Sequence, residues 1–247
     1  LGVLDGRRIV LTGGASGMGA ASVRSFAREG ARVFSMDIDA DGGARVAEEA
    51  AALGGDVLFE HCDVGSSQLD DVMERGIAWL GGLDVLANVA GIERGATPQD
   101  VSEDEFEETL EPNLWATIHA NQIACRHMRE AGGGRIINYA SAAGLGGMPM
   151  APAYSVSKGG VLGWTRSIAR EWGVYNITAV AMCPAIWTPM YEAYRRREPA
   201  EMVAMSDRML EGTDADRDMG PVMVFLASTG AGAISGQHIS VGKINFG

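Results

Sequence analysis

The sequence predicts an α/β fold, a doubly wound parallel sheet of about seven strands flanked by helices, on three observations. Short β-favouring apolar runs alternate with stretches of helical apolar spacing. The first run, Ile9-Val10-Leu11, opens directly onto a glycine turn holding Gly13, Gly17 and Gly19. No repeat, linker or low-complexity segment divides the 247 residues, so one domain over 1–247 is expected, with ample surface for a full core.

Composition narrows the function classes. Glycine, at 34 residues, is about twice its average share of ~7%, which suits many tight turns and a backbone-lined ligand site. A formal net charge of -12 argues against a nucleic-acid partner; the only basic clump, Arg195 to Arg197, reads as a solvated charge run. Cys62, Cys125 and Cys183 form no CxxC pair, and His61, His119, His127 and His238 lack ligand spacing, so neither disulfides nor a metal site are expected. No apolar run approaches ~18 residues, and Asp5, Arg7 and Arg8 break the first ten, so no membrane partner is expected and the cytoplasm is the expected location. The chain opens on Leu1 and not on Met, so a few native residues are expected to precede it.

In chain order, the first element is the strand at Ile9 to Leu11. The glycines after it let backbone approach a ligand, and the helix start beyond offers unpaired amides and the positive end of a dipole to a diphosphate. Met18 to Glu29 has helical spacing, and Gly30 is its stop. The strand Ala31 to Met36 ends in Asp37, about 20 residues past the glycines, where a carboxylate can accept both ribose hydroxyls of an adenosine. It would repel a 2′-phosphate, and neither Ser16 nor Ile38 supplies a cation, so NAD is favoured over NADP. A helix at Gly43 to Leu53 and a strand at Val57 to Cys62 lead to Asp63 and Val64. Two roles stay open there: Asp63 taking the adenine amino group, or capping of a helix at Gln68 to Leu80, for which Ser66 and Ser67 stand ready.

The next strand, Leu83 to Asn88, runs into Val89-Ala90-Gly91, small residues that permit close approach of a cofactor. A long helix follows at Glu103 to Glu130, kinked at Pro112-Asn113, where freed carbonyls would hold a water pointing into a site. Arg135 to Ala140 is a strand closing on Ser141. Thirteen residues later stands Tyr154 and four after that Lys158, one face of a helix running to Trp172. A cation beside a phenol favours the phenolate and makes it a general acid/base; Ser141 would donate to the same substrate oxygen. A strand at Ile177 to Cys183 precedes the least regular stretch. There Met190, Tyr191, Tyr194, Met202, Met205 and Met209 form an apolar stripe for which core packing and a lid over about 186–212 are both open readings. A helix at Asp216 to Leu226 and a strand at His238 to Val241 finish the chain.

Together these motifs resemble the short-chain dehydrogenase/reductase family over essentially the whole length: TGGASGMG at Thr12 to Gly19, Asp63, NVAG at Asn88 to Gly91, Asn113, Ser141, YSVSK at Tyr154 to Lys158, and Thr188 after Pro184. The resemblance implies a Rossmann-type sheet and a proton relay. In it Tyr154 is the acid/base, Ser141 steadies the substrate oxygen, Lys158 lowers the Tyr154 pKa and binds the nicotinamide ribose, and Asn113 holds the linking water. It further implies cofactor contacts at Gly13, Ser16, Gly17, Met18 and Gly19, with Asp63 and Val64 flanking the adenine. Asn88 would support the strand beside Ala90 and Gly91, while Pro184, Ile186 and Thr188 would lie against the nicotinamide. Val89 departs from a common asparagine, Ala185 from a glycine, and Pro112 is an addition; the ending GKINFG lacks the family's acidic-glycine-glycine finish, which bears on subunit packing.

The function expected from this is an NAD(H)-dependent oxidoreductase interconverting a secondary alcohol and a ketone. The substrate is a hydrophobic small molecule, alicyclic, aromatic or steroid-like, against Ala142, Ala143, Met148, Met150, Trp187, Met190, Tyr191 and Tyr194. A 3-oxoacyl thioester reductase is the alternative within the family, and a non-catalytic dinucleotide sensor the alternative outside it. The resemblance also implies a homotetramer, or failing that a dimer.

Overall fold

A computed structural model of the chain describes residues 2–242, except the side chain of Met205; the last five residues of GKINFG lie outside the described part. The apolar runs form seven parallel strands: β1 (Arg8–Thr12), β2 (Arg32–Asp37), β3 (Asp56–His61), β4 (Val85–Asn88), β5 (Gly134–Tyr139), β6 (Ile177–Pro184) and β7 (His238–Val241). Their order is β3-β2-β1-β4-β5-β6-β7, reversing direction beside β1, as the doubly wound expectation requires.

Strand period two splits the buried side chains between two cores. Ile9, Leu11, Val33, Val85 and Ile137 pack one face with Val23 and Phe26 of α1 (Gly17–Arg28) and Met223 and Leu226 of α10 (Gly220–Ala227). Val10, Phe34, Leu86 and Ile136 pack the other with Met73 and Ile77 of α3 (Leu69–Leu80), Ile123 of α5 (Ala116–Glu130) and Ile168 of α7 (Pro152–Glu171). In β1, β2, β4, β5 and β6, burial on both faces explains why the strands read as continuous apolar runs and not as alternation, whereas the edge strands β3 and β7 are largely exposed.

Helix boundaries carry the differences from expectation. α2 (Ala40–Ala52) begins three residues before Gly43, because Asp39 caps it by accepting the Gly42 N–H at 3.0 Å. The kinked helix at Glu103 to Glu130 is two helices, α4 (Glu103–Leu110) and α5, joined by a single π turn at Glu111–Trp115. That widened turn takes up Pro112, which lacks an N–H to give. A short helix, α6 (Ala143–Gly146), follows Ser141. The stretch after β6 is regular: α8 (Pro189–Arg197) starts at the cap Thr188, and α9 (Ala200–Leu210) returns beside it. The helix expected from Asp216 opens as a π turn at Ala215–Met219 before α10.

α8 and α9 enclose a small core of their own, built from Ala185, Tyr191, Tyr194, Val203 and Leu210. The Tyr191 hydroxyl donates to Asp207 Oδ1 at 2.7 Å, and Arg195 grips the same carboxylate at 3.0 Å. The apolar stripe thus divides its roles: Tyr191 and Tyr194 are buried, whereas Met190 and Met202 are about two-fifths exposed, at 40% and 41%. Among the described residues no helix is long and apolar enough to cross a membrane, and no three His, Cys, Asp or Glu side chains are grouped to hold a metal.

Candidate active site

The carboxyl ends of the strands form the site. After β1, Gly13 adopts φ +79°, and a Cβ there would lie 2.5 Å from the Ala90 nitrogen. Gly19 presses against the turn so closely that a Cβ would stand 1.8 Å from the Gly13 carbonyl oxygen. Thr12 Oγ1 accepts from the Val89 and Ala90 N–H groups at 3.2 and 3.3 Å, locking the turn to the loop after β4. Ser16 begins α1 without capping it, so the first-turn amides at Gly17, Met18 and Gly19 are free for an anion.

Asp37, ending β2, accepts the Ala15 N–H on Oδ2 at 2.9 Å and the Asp39 N–H on Oδ1 at 3.0 Å. Each oxygen keeps a lone pair for a further donor. Asp63 accepts the Gly65 N–H at 3.0 Å, and Ser66 Oγ rather than Asp63 accepts the Gln68 N–H at the head of α3. A glycine turn that only a Cβ-free backbone permits, an uncapped helix start and a carboxylate one strand away fit a dinucleotide.

Further along, α7 carries Tyr154 and Lys158 one turn apart, and β5 delivers Ser141. All three line a cavity of about 490 Å³ with Met18, Gly91, Pro184, Ile186 and Thr188. Lys158 is buried, and its Nζ donates to the Tyr139 carbonyl at 2.9 Å while standing 5.7 Å from the centre of the Tyr154 ring. Burial pushes this amine down to about 8.

The phenol does not move as the spacing argument expects. Burial raises Tyr154 above its ordinary value; the Ser141 hydrogen bond opposes this, and the charge of Glu93 adds to it. The Lys158 ammonium is committed to the Tyr139 carbonyl. Cys183, beside Ser141, is pushed up to about 11 by burial and stays a thiol at neutral pH.

Asn113, fully buried in the π turn, binds the loop after β4 at both ends. Its Nδ2 donates to the Ile92 carbonyl at 2.9 Å and to Ser157 Oγ at 3.0 Å, and its Oδ1 accepts the Ile92 N–H at 2.8 Å. The Asn113 carbonyl accepts the Thr117 hydroxyl at 2.9 Å. Gly91 gives this junction its room: a Cβ there would stand 2.9 Å from Asn113 Oδ1 and 3.2 Å from Lys158 Nζ. Asn88 faces away from the turn and donates to Asn138 Oδ1 at 2.9 Å, inside a buried network with Asn121 and Thr165.

Of the expected substrate wall, Ala142, Ala143, Met148, Met190, Tyr191 and Tyr194 line the cavity. Met150 and Trp187 do not. Met150 is held at φ +57° with its carbonyl accepting the Ala96 N–H, and the Trp187 indole turns outward, donating to Glu192 at 2.6 Å and stacking edge-on against Tyr191. Sequence reasoning missed Glu93, Ser206 and Leu210 at the wall. For Glu93 a signal existed, since it lies two residues beyond Gly91 at a strand's carboxyl end. For Ser206 and Leu210 it depended on how α9 folds back.

Fold and site define a dinucleotide-binding α/β protein with a tyrosine, a serine and a buried lysine lining its cavity. The comparisons agree. The model of the short chain dehydrogenase family, adh_short, matches residues 7–199, and the chain belongs to that family, whose members are oxidoreductases that bind a nicotinamide dinucleotide. It is 34% identical over 240 residues to the (2S)-[(R)-hydroxy(phenyl)methyl]succinyl-CoA dehydrogenase subunit BbsD of Thauera aromatica, covering 96% of each. It is 33% identical to the 3-oxoacyl-[acyl-carrier-protein] reductase FabG of Thermotoga maritima, covering 96% of this chain and 97% of that one. Among solved structures, levodione reductase superposes with a TM-score of 0.90 at 26% identity, covering 97% of each chain.

Proposed function

We propose that the chain is an NAD(H)-dependent oxidoreductase that interconverts a secondary alcohol and a ketone, with Tyr154 as its general acid/base. The observation that carries this reading is the convergence of the Tyr154 phenol, the Ser141 hydroxyl and the Lys158 ammonium on one wall of the cavity. Ser141 donates to the substrate oxygen and fixes it against Tyr154, whose phenol gives its proton to the ketone oxygen in reduction and, in oxidation, takes the alcohol proton after passing its own to the relay water. The bound dinucleotide supplies the hydride acceptor or donor. Lys158 holds positive charge beside the phenol and meets the nicotinamide ribose, and Asn113 holds a water that passes the proton outward.

For binding, Gly13, Ser16, Gly17, Met18 and Gly19 take the pyrophosphate. Asp37 takes the adenosine ribose, and Asp63 and Val64 flank the adenine. Asn88 stiffens the strand beneath Ala90 and Gly91, while Pro184, Ile186 and Thr188 take the nicotinamide end. NAD is preferred because Asp37 repels a 2′-phosphate and the neighbouring Ile38, 64% exposed, offers no counter-charge. Methionine and tyrosine around the cavity suit a hydrophobic alicyclic, aromatic or steroid-like substrate, with 186–212 as the lid of a single catalytic domain. Exposed Trp115 and Val156, beside and on α7, suit burial against further copies in a homotetramer, and the cytoplasm suits an enzyme of this cofactor.

The 33% likeness to a 3-oxoacyl reductase favours a second reading, a thioester reductase, against which Asp37 counts if such enzymes draw on NADPH. The test is NADH formation from a panel of bulky secondary alcohols with NAD and NADP in parallel. Turnover with NAD is expected, with Tyr154→Phe lowering it roughly a hundredfold to ten-thousandfold while dinucleotide binding persists. Intact NADH binding with no hydride transfer across the panel refutes the enzyme and leaves the sensor.

A further inference from the structure

One wall of the cavity carries a charge arrangement that the proton relay does not use. The Glu93 side chain, in the loop after β4, is 4% exposed and accepts two hydrogen bonds from Arg197 Nη2 of α8, at 2.9 and 3.0 Å. The same guanidinium donates through Nε to Glu198 Oε1 at 2.7 Å, and the Glu198 side chain is 3% exposed. Gly95 makes room for the cluster, since a Cβ there would stand 2.5 Å from Arg197 Nε. Arg197 also lies 5.6 Å from the Tyr194 ring centre, so its position is fixed from several sides.

Two buried carboxylates therefore share one cation. Of the neighbouring charges, Asp207 pairs with Arg195 and Glu192 with Arg196, and Arg94 pairs with Glu108 away from the cluster. Lys158, the cation at the reacting end, directs its ammonium to the Tyr139 carbonyl. Glu93 lines the cavity itself, and its charge reaches Tyr154. The two carboxylates are buried while Arg197 is 40% exposed, so the negative charge is screened less than the cation that faces it.

We infer that Glu93 is a specificity-determining residue: with Glu198 it leaves one uncompensated negative charge in the cavity wall, which admits neutral or cationic alcohols and ketones and rejects those bearing a carboxylate or phosphate near the reacting carbon. The inference rests on the oxidoreductase reading and gives its substrate class a charge. Rejection arises because a like charge must lose its water beside one already buried.

The probes are 1-phenylethanol and 4-(1-hydroxyethyl)benzoate, which share a carbinol and differ by one carboxylate. Each is assayed by NADH formation, or as a competitive inhibitor if another alcohol is the better substrate. Wild type is expected to favour the neutral member by about tenfold to a hundredfold in kcat/KM or in inhibition constant. Glu93→Gln is expected to erase about tenfold of that preference, chiefly by tightening the anionic member, whereas Glu93→Asp, which keeps the charge, retains it. Equal effects of Glu93→Gln on both probes, no preference in wild type, or loss of preference in Glu93→Asp despite an unchanged melting temperature overturns the inference alone. A wild type that binds NADH and turns over no alcohol overturns the reading beneath it.

Discussion

Replacing Lys158 by methionine is expected to stabilise the cofactor-free protein at neutral pH while removing a residue of the proposed proton relay. Burial lowers the amine from an ordinary 10.5 to about 8. At about 1.4 kcal/mol for each tenfold change in proton affinity, folding with the charged amine costs about 3 kcal/mol. Methionine fills a similar volume without the charge, but it leaves the Tyr139 carbonyl without its 2.9 Å donor, a loss of about 1 kcal/mol. The net gain is about 2 kcal/mol, or roughly 4–8 °C in melting temperature for a chain of this size.

The pH dependence fixes the cause. Because the folded-state value is depressed, the unfolded chain binds more protons between about 8 and 10.5, and wild-type stability rises with pH through that window. The advantage of Lys158→Met is therefore full below pH 8 and fades toward pH 10.5. Scanning calorimetry of both proteins from pH 6.5 to 10 measures it. A variant less stable at pH 7, or an advantage that does not change with pH, refutes the argument that burial of the ammonium is held against folding.

Two further outcomes follow from the same geometry. Asp37→Asn keeps the size and one acceptor oxygen but removes the charge, and should raise the NADP to NAD ratio of kcat/KM by about tenfold or more; an unchanged ratio would show that the carboxylate does not select the cofactor. Asn138→Ala removes the partner of both Asn88 and Asn121 and should cost about 2–4 kcal/mol, read as a lower urea midpoint with an unchanged m-value.

What the sequence made legible follows from how locally each signal is encoded. The strands were readable because Ile9 to Leu11 and Ile177 to Cys183 are buried on both faces, and the turn because Gly13 and Gly19 occupy places where a Cβ collides with backbone. Tyr154 and Lys158 were readable because four residues on a helix is a fixed geometry. The direction of the Tyr154 shift was not. It is set by burial, which outweighs the Ser141 hydrogen bond and depends on elements far apart in sequence, while Lys158 Nζ finds its acceptor at Tyr139, nineteen residues away on another element. Trp187 was placed at the substrate wall because aromatic residues after β6 suit one, but its indole N–H seeks a partner when half-buried and finds Glu192 outside the cavity.

The pairings that escaped notice share one property, which is that the partners are distant in sequence. Glu93 meets Arg197 across 104 positions, and Asn88 meets Asn138 across 50. Polar groups of this kind have no periodicity to announce them, and each is tolerable in the interior only when a second element arrives with the complementary atom. The Asn88–Asn138 pair ties β4 to β5 below the turn that would cradle the cofactor, and the Glu93–Arg197 pair ties the loop above that turn to the first helix of the lid. Without Arg197 the Glu93 carboxylate would be buried and unpaired, so the seat of α8 and the loop after β4 depend on one another. The same contact that holds α8 in place thereby decides the charge that the substrate meets.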